Sequence, residues 1–201
     1  MSAQPSAREA SAQRTRQALL TAATQIFVTE GVHAPIRDIA GLAQVGLGTV
    51  YRHFPSRGDL VVAVYRHQID ACVALAHELQ ESTQPAAALE RWIDAFVDFL
   101  VTKHGLGMAL QSDDAAFGEL HSLMLDELVP ACGLLVEAAA ARGELDLTLT
   151  PYVLMRAVGN LCILGPDYER EDARVMVRRL LAGCARPLPE PAGGVSDITP
   201  A

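Results

Sequence analysis

Residues 36–53 read IRDIAGLAQVGLGTVYRH, and the reading of this stretch decides the fold. Ile36, Ile39 and Ala40 fall at i, i+3, i+4, the spacing of one buried helical face. Gln44-Val45-Gly46 interrupts that pattern, and a second helix begins at Leu47 with Val50 and Phe54 four apart on one side. The residues left over, Thr49, Tyr51, Arg52 and His53, are all hydrogen-bond formers crowded into little more than one turn. Two helices this short cannot bury a core alone. The pattern fits a helix-turn-helix whose second helix enters the DNA major groove.

Working outward, Ala22-Ala23, Phe27, Gly31, Arg37, Ile39-Ala40, Val45, Gly48-Thr49, Tyr51, His53-Phe54-Pro55-Ser56 and Leu60 form one extended signature across residues 18–60. Read together, they resemble the DNA-binding segment of TetR-type transcriptional regulators. The resemblance covers roughly the first third of the chain and rests on many positions within one span. It implies an all-α protein with an N-terminal three-helix helix-turn-helix domain and a C-terminal helical domain for ligand binding and dimerisation. The corresponding divisions are a disordered arm over 1–12, the DNA-binding domain over 13–60, the ligand-binding and dimerisation domain over 61–186, and a disordered Pro/Gly-rich tail over 187–201.

By the same resemblance, Thr49, Tyr51 and His53 sit where family members touch DNA. Arg52 is either a reader of base edges or phosphate, since a guanidinium can pair with guanine, or a solvated surface charge. Leu47 opens the helix and completes its candidate set. The turn carries Gln44 where the family usually has glycine and Gly46 where it usually has serine. Gln44 is placed to reach a base edge, whereas Gly46 lacks a capping hydroxyl. Pro35 stands where a threonine is usual, so Arg37 is the candidate for the phosphate contact there. Arg57 replaces the usual lysine at the start of the next helix, where either residue can hold a phosphate. Arg14 and Arg16 are either further phosphate contacts or solvated arginines.

The charge distribution agrees with this reading. The net charge of −8 argues at first against a nucleic-acid partner. Residues 1–60, however, hold six arginines against four acids, and residues 61–201 hold ten bases against twenty acids. A basic reading module attached to an acidic body is the expected arrangement.

Periodicity outlines the remaining helices. The sequence predicts helices over 14–29, 35–43 and 47–53. A long fourth helix opens with the Ser56-x-x-Asp59 capping pattern and runs to about residue 80. Helices over 86–103, 115–141, 151–164 and 169–184 follow. A short helix bounded by Gly105 and Gly107 and ending near Gln111 is the candidate moving element, and Pro130 should kink or split the helix that contains it.

Trp92, Phe96 and Phe99 concentrate aromatic residues in one helix, as core filling or as a cavity wall. The family resemblance favours a cavity, with Trp92, Phe96, Phe99, Met108, Phe117, Met124 and Met155 as walls and His104 and Asn160 orienting a polar group. Such a wall suits an apolar or aromatic effector. The last two helices are amphipathic, and Leu154, Val158, Leu161, Ala173, Val177, Leu180 and Leu181 are the candidate contacts of an intersubunit four-helix bundle, or else pack within their own subunit.

Other function classes find little support. A serine triad, a metal cluster and a phosphate loop are absent, and the six histidines are scattered, so catalysis, a metal or a cofactor is not expected. A non-DNA-binding interaction module would not need the basic end. Cys72, Cys132, Cys162 and Cys184 are too widely spaced for a ligand cluster and read as small core residues. No apolar run is long enough for a membrane span, and the N-terminus lacks a secretory pattern. The expectation is therefore a cytoplasmic, dimeric regulator that binds a palindromic operator in double-stranded DNA and is released from it by a small molecule.

Overall fold

The computed structural model describes residues 6–109, 114–145, 150–163 and 169–184, with side chains described outside 101–121. Within them, eight helices and no strand occur: α1 (Ala7–Glu30), α2 (Ile36–Leu42), α3 (Leu47–His53), α4 (Arg57–Leu79), α5 (Pro85–Ala109), α6 (Asp114–Ala141), α7 (Pro151–Leu161) and α8 (Arg170–Cys184).

The first helix begins earlier than expected, so residues 7–12 are not a disordered arm. Ser6 and Glu9 close a capping box: the Glu9 N–H donates to the Ser6 hydroxyl at 3.3 Å and the Ser6 N–H donates to the Glu9 carboxylate at 2.8 Å. These bonds hold the Glu9 carboxyl below its ordinary pKa. Its buried stripe begins only at Leu19, which explains why apolar periodicity did not show the first three turns. Gly31, at φ +83°, ends the helix.

Two further differences concern splits that do not occur, whether or not Pro130 kinks its helix. Helix α5 runs through Gly105 and Gly107 to Ala109, so the separate short helix proposed as a moving element is instead the end of α5. An isolated glycine costs a helix about 1 kcal/mol, which a long packed helix tolerates. Helix α6 is continuous across Pro130. Proline removes one N–H bond to the carbonyl of Asp126, and both residues lie on the exposed side, where water can replace that bond. The tail over 187–201 and Gln111, the expected end of the short helix, lie outside the described residues.

The N-terminal core is built by Leu19, Ala23, Phe27, Ile39, Val50, Phe54 and Leu60, drawn from α1 to α4. Helix α4 then passes into the second half, where it packs against α5 and α6. Its start is fixed by the Ser56–Asp59 capping box. Fully buried Trp92 of α5 donates its indole N–H to the Cys72 carbonyl of α4 at 2.8 Å. That bond satisfies the one polar atom of the largest core side chain. Helix α7 starts on a Thr150 cap followed by Pro151, and α8 packs on α5 and α7.

Candidate nucleic-acid interface

The bend between α2 and α3 is a Schellman turn. The Val45 N–H donates to the Ala40 carbonyl at 3.0 Å and the Gln44 N–H to the Gly41 carbonyl at 3.1 Å. This places Gln44 at φ +55°, the only non-glycine described with a positive φ. Helix α6 ends in the same motif, with Glu144 bonded to Ala139 and Gly143 to Ala140, but uses Gly143 at φ +69°. The glycine usual at position 44 in related turns therefore has a physical reason, and Gln44 occupies the conformation at a steric cost.

Gly46 caps α3 with extended backbone and no side-chain bond. Val50 and Phe54 anchor α3 in the core at 1% and 3% exposure. Arg16 of α1 lies over the Phe54 ring at 5.2 Å, so this arginine is engaged in packing the reading head. With Val50 turned inward, the helix presents Leu47, Gly48, Tyr51 and Arg52 outward; Tyr51 is 51% exposed. Thr49 and His53 are half-buried at the edges of that face. Gln44 is exposed beside it. Leu42, half-exposed at the end of α2, extends the surface and was not expected from the sequence. A shallow depression lined by Arg14, Gln17, Thr21, Gln25, Leu42 and Gln44 continues it onto α1.

The two flanking arginines differ. Arg37 is 78% exposed and meets only its neighbour Asp38, at 3.5 Å, a weak surface pair. Arg57 instead donates to the carbonyls of Val32 at 2.6 Å and Ala34 at 2.9 Å, clamping the start of α4 to the loop between α1 and α2. Its guanidinium is a structural tie, a role that a residue read only as a phosphate ligand does not suggest.

In the C-terminal half a cavity of about 280 Å³ is lined by Phe96, Leu100, Met124, Leu125, Tyr152, Met155, Arg156, Gly159, Asn160 and Ile163. Of the expected wall, Phe96, Met124, Met155 and Asn160 are brought together. Trp92 and Phe99 do not line this cavity: both are buried behind Phe96, in a stack with ring centroids 5.4 Å and 5.9 Å from it, and Phe99 lines a separate depression between α1, α4 and α5. Phe99 in turn meets Tyr65 of α4 at 5.0 Å. The side chains of His104, Met108 and Phe117 lie outside the described residues. Leu100, Leu125, Tyr152, Arg156, Gly159 and Ile163 were missed, although the 4-3-4 spacing of the last four marks one face running along α7 and just past its end.

The candidate dimer contacts need correction. Leu154, Val158, Ala173, Val177 and Leu181 are buried within the chain itself, and Leu161 and Leu180 are partly buried against the same core. They are the inward stripe of α7 and α8. The apolar residues left outward are Tyr152, Val153 and Ile163 on or just past α7, and Val175 and Met176 on α8.

No cluster of three metal-ligating side chains occurs among the described residues, and no described helix is long and apolar enough to cross a membrane.

Comparison with known proteins agrees with this geometry. Residues 19–64 match the model of bacterial regulatory proteins of the tetR family. The chain is 36% identical over 95 residues to the HTH-type transcriptional repressor LfrR of Mycolicibacterium smegmatis, covering 47% of this chain and 50% of LfrR. It is 36% identical over 87 residues to the HTH-type transcriptional activator FasR of the same organism, covering 42% of this chain and 40% of FasR. The chain thus spans about half the length of these curated relatives or less. Likeness to the crystal structure of the TetR transcriptional regulator SCO0520 from Streptomyces coelicolor extends much further: 30% identity, a TM-score of 0.70, and coverage of 85% of this chain and 98% of that one. With a near-complete match to SCO0520 added to the helix-turn-helix signature, the chain belongs to the TetR family of bacterial transcriptional regulators.

Proposed function

We propose that the protein is a homodimeric repressor that reads a palindromic operator through two copies of α3 and is released when an apolar small molecule enters the C-terminal cavity. The observation that carries the DNA-binding part is the division of α3. Val50 and Phe54 are sunk in the core, while Leu47, Tyr51 and Arg52 face outward beside an exposed Gln44. A side of a helix that serves its own fold so little is suited to a partner, and its mixture of hydroxyl, guanidinium and apolar groups suits base edges and phosphates. Arg37, Thr49 and His53 flank that face and complete the contact set.

The dimer reading rests on the outward residues of α7 and α8. Val153, Val175 and Met176 are half-exposed apolar side chains, which a second copy would cover around a twofold axis. The ligand reading rests on the cavity, whose Phe96 wall connects by ring contacts through Phe99 to Tyr65 of α4. Because α4 begins at the DNA-binding half, an effector that prefers one placement of Phe96 would bias the spacing of the two reading heads. The name of FasR keeps activation open as a second reading, since the same DNA contacts serve either outcome.

Footprinting on the DNA upstream of the protein's own gene tests the proposal. It should show a protected palindrome with half-sites about one helical turn apart or a multiple of that spacing. Protection of an asymmetric site by a monomer would rule out the dimeric reading.

A further inference from the structure

We propose that the cavity between α5, α6 and α7 takes an amphipathic carboxylate, with its apolar body against Phe96, Leu100, Met124 and Met155 and its anionic head on Arg156. This rests on the reading of the cavity as the effector site and adds the charge of the ligand.

Among the described residues that line the cavity, Arg156 is the only ionisable side chain apart from the Tyr152 phenol. Three arginines of the acidic half are paired on α8, two of them with α5: Arg170 and Arg174 approach Asp98 at 3.9 Å and 2.6 Å, and Arg178 reaches Glu171 at 3.0 Å. Among the described residues Arg66, Arg91, Arg142 and Arg179, like Arg156, make no ion pair; what sets Arg156 apart is its place in the cavity lining. Arg156 makes no ion pair or hydrogen bond with any described residue, although acids outnumber bases two to one beyond residue 60. Asn160 follows it by four residues, so both lie on the same face of α7 and both line the cavity.

The chemistry follows from that placement. An exposed guanidinium at a cavity mouth keeps its hydration while the cavity is unliganded, so its position there costs little. When an apolar body fills the space, water near Arg156 is displaced. A carboxylate then replaces the lost hydration with charge-assisted hydrogen bonds, and the Asn160 amide can donate to the same head. A neutral ligand of equal shape would leave the guanidinium partly dehydrated and unpartnered, and a cationic one would be repelled.

Calorimetric titration of the full-length protein with decanoate and with 1-decanol compares one tail with and without the charge. Decanoate should bind about tenfold more tightly than 1-decanol. R156Q should remove that difference by weakening decanoate, while 1-decanol, which no longer dehydrates a guanidinium, should bind at least as tightly as before. N160D, which brings a negative charge to the mouth, should weaken decanoate alone. Equal affinity for the two probes in the wild type, or decanoate affinity unchanged in R156Q, would overturn the anion assignment while leaving the cavity as a ligand site. Absence of binding by both probes would overturn the anion assignment and the cavity reading together.

Discussion

Gln44 holds a backbone conformation that suits glycine, beside the exposed face of α3. At φ +55° it occupies backbone space that costs an L side chain roughly 1 kcal/mol, and Gly143 occupies the matching position at the end of α6 without that cost. Gln44→Gly should raise stability by about 0.5 kcal/mol, measured as a shift in the urea midpoint, the glycine's own unfolded-state entropy offsetting part of the relief. Should the amide read a base edge, the same variant will lose sequence discrimination in a binding assay. Gly48 presents the opposite case. It lies on the outward face of α3, and an added Cβ would meet nothing within 4 Å inside the protein. Nothing inside the protein requires its smallness, and on the proposed reading it allows close approach of DNA. Gly48→Ala should hold or raise stability, by up to about 0.5 kcal/mol, while weakening DNA binding. Loss of stability without loss of binding would refute that view. Arg57 was legible in the sequence as a cation at a helix start, but its two carbonyl partners were not, because they lie 25 and 23 residues earlier in the chain. Arg57→Ala should cost about 1–2 kcal/mol of stability, seen by thermal unfolding without DNA.

At the scale of helices, the sequence described the short ones well and the ends of the long ones less well. The bounds of α3 follow from Gly46 before it and Phe54 after it, and the Ser56–Asp59 box was visible as a spacing. The start of α1 was missed because residues 7–18 carry no buried stripe; the Ser6-x-x-Glu9 pattern was its one available signal. Glycines in α5 were read as a break and Pro130 as a kink or a split, yet both helices run on, at Pro130 because the lost backbone bond faces water. The inward faces of α7 and α8 were found correctly by period, but a period cannot say whether the covering surface belongs to the same chain or to a second copy. The burial of Leu154, Val158 and Val177 within one chain decides that for these residues. The proposed path from cavity to DNA also belongs to this scale. Phe96, Phe99 and Tyr65 form successive ring contacts from α5 to α4. Phe99→Leu should keep operator affinity and reduce the loss of affinity on effector binding. Unchanged coupling in equilibrium titrations would remove Phe99 from the path.

For the whole molecule, the acidic body holds its cysteines as core residues. Burial pushes the thiols of Cys72 and Cys132 up to about 12 from 9.0, with Asp98 adding to the rise at Cys72; burial and then Asp98 bring Cys162 to about 11. A raised thiol pKa means that the folded state favours the protonated form. That contribution is complete below pH 9 and is lost as pH rises toward 11–12, since the unfolded chain ionises first. The denaturant midpoint should therefore fall above pH 9, and Cys132→Ala should reduce the slope. A midpoint that is flat from pH 8 to 11 would contradict the burial of these thiols. The fold class and the helix-turn-helix elements were legible because their signals are local. The cavity was half legible, because Tyr152, Arg156 and Ile163 meet Phe96 and Met124 only through the packing of three helices.

The central claim is that the outward face of α3 reads DNA and serves little else. Its most direct test is Tyr51→Ala, with operator affinity followed by fluorescence anisotropy and subunit association by sedimentation. The half-exposed phenol contributes little to the core, so the variant should fold and pair as wild type while losing operator affinity by about tenfold or more. Equal operator affinity in variant and wild type would contradict the assignment of the recognition surface.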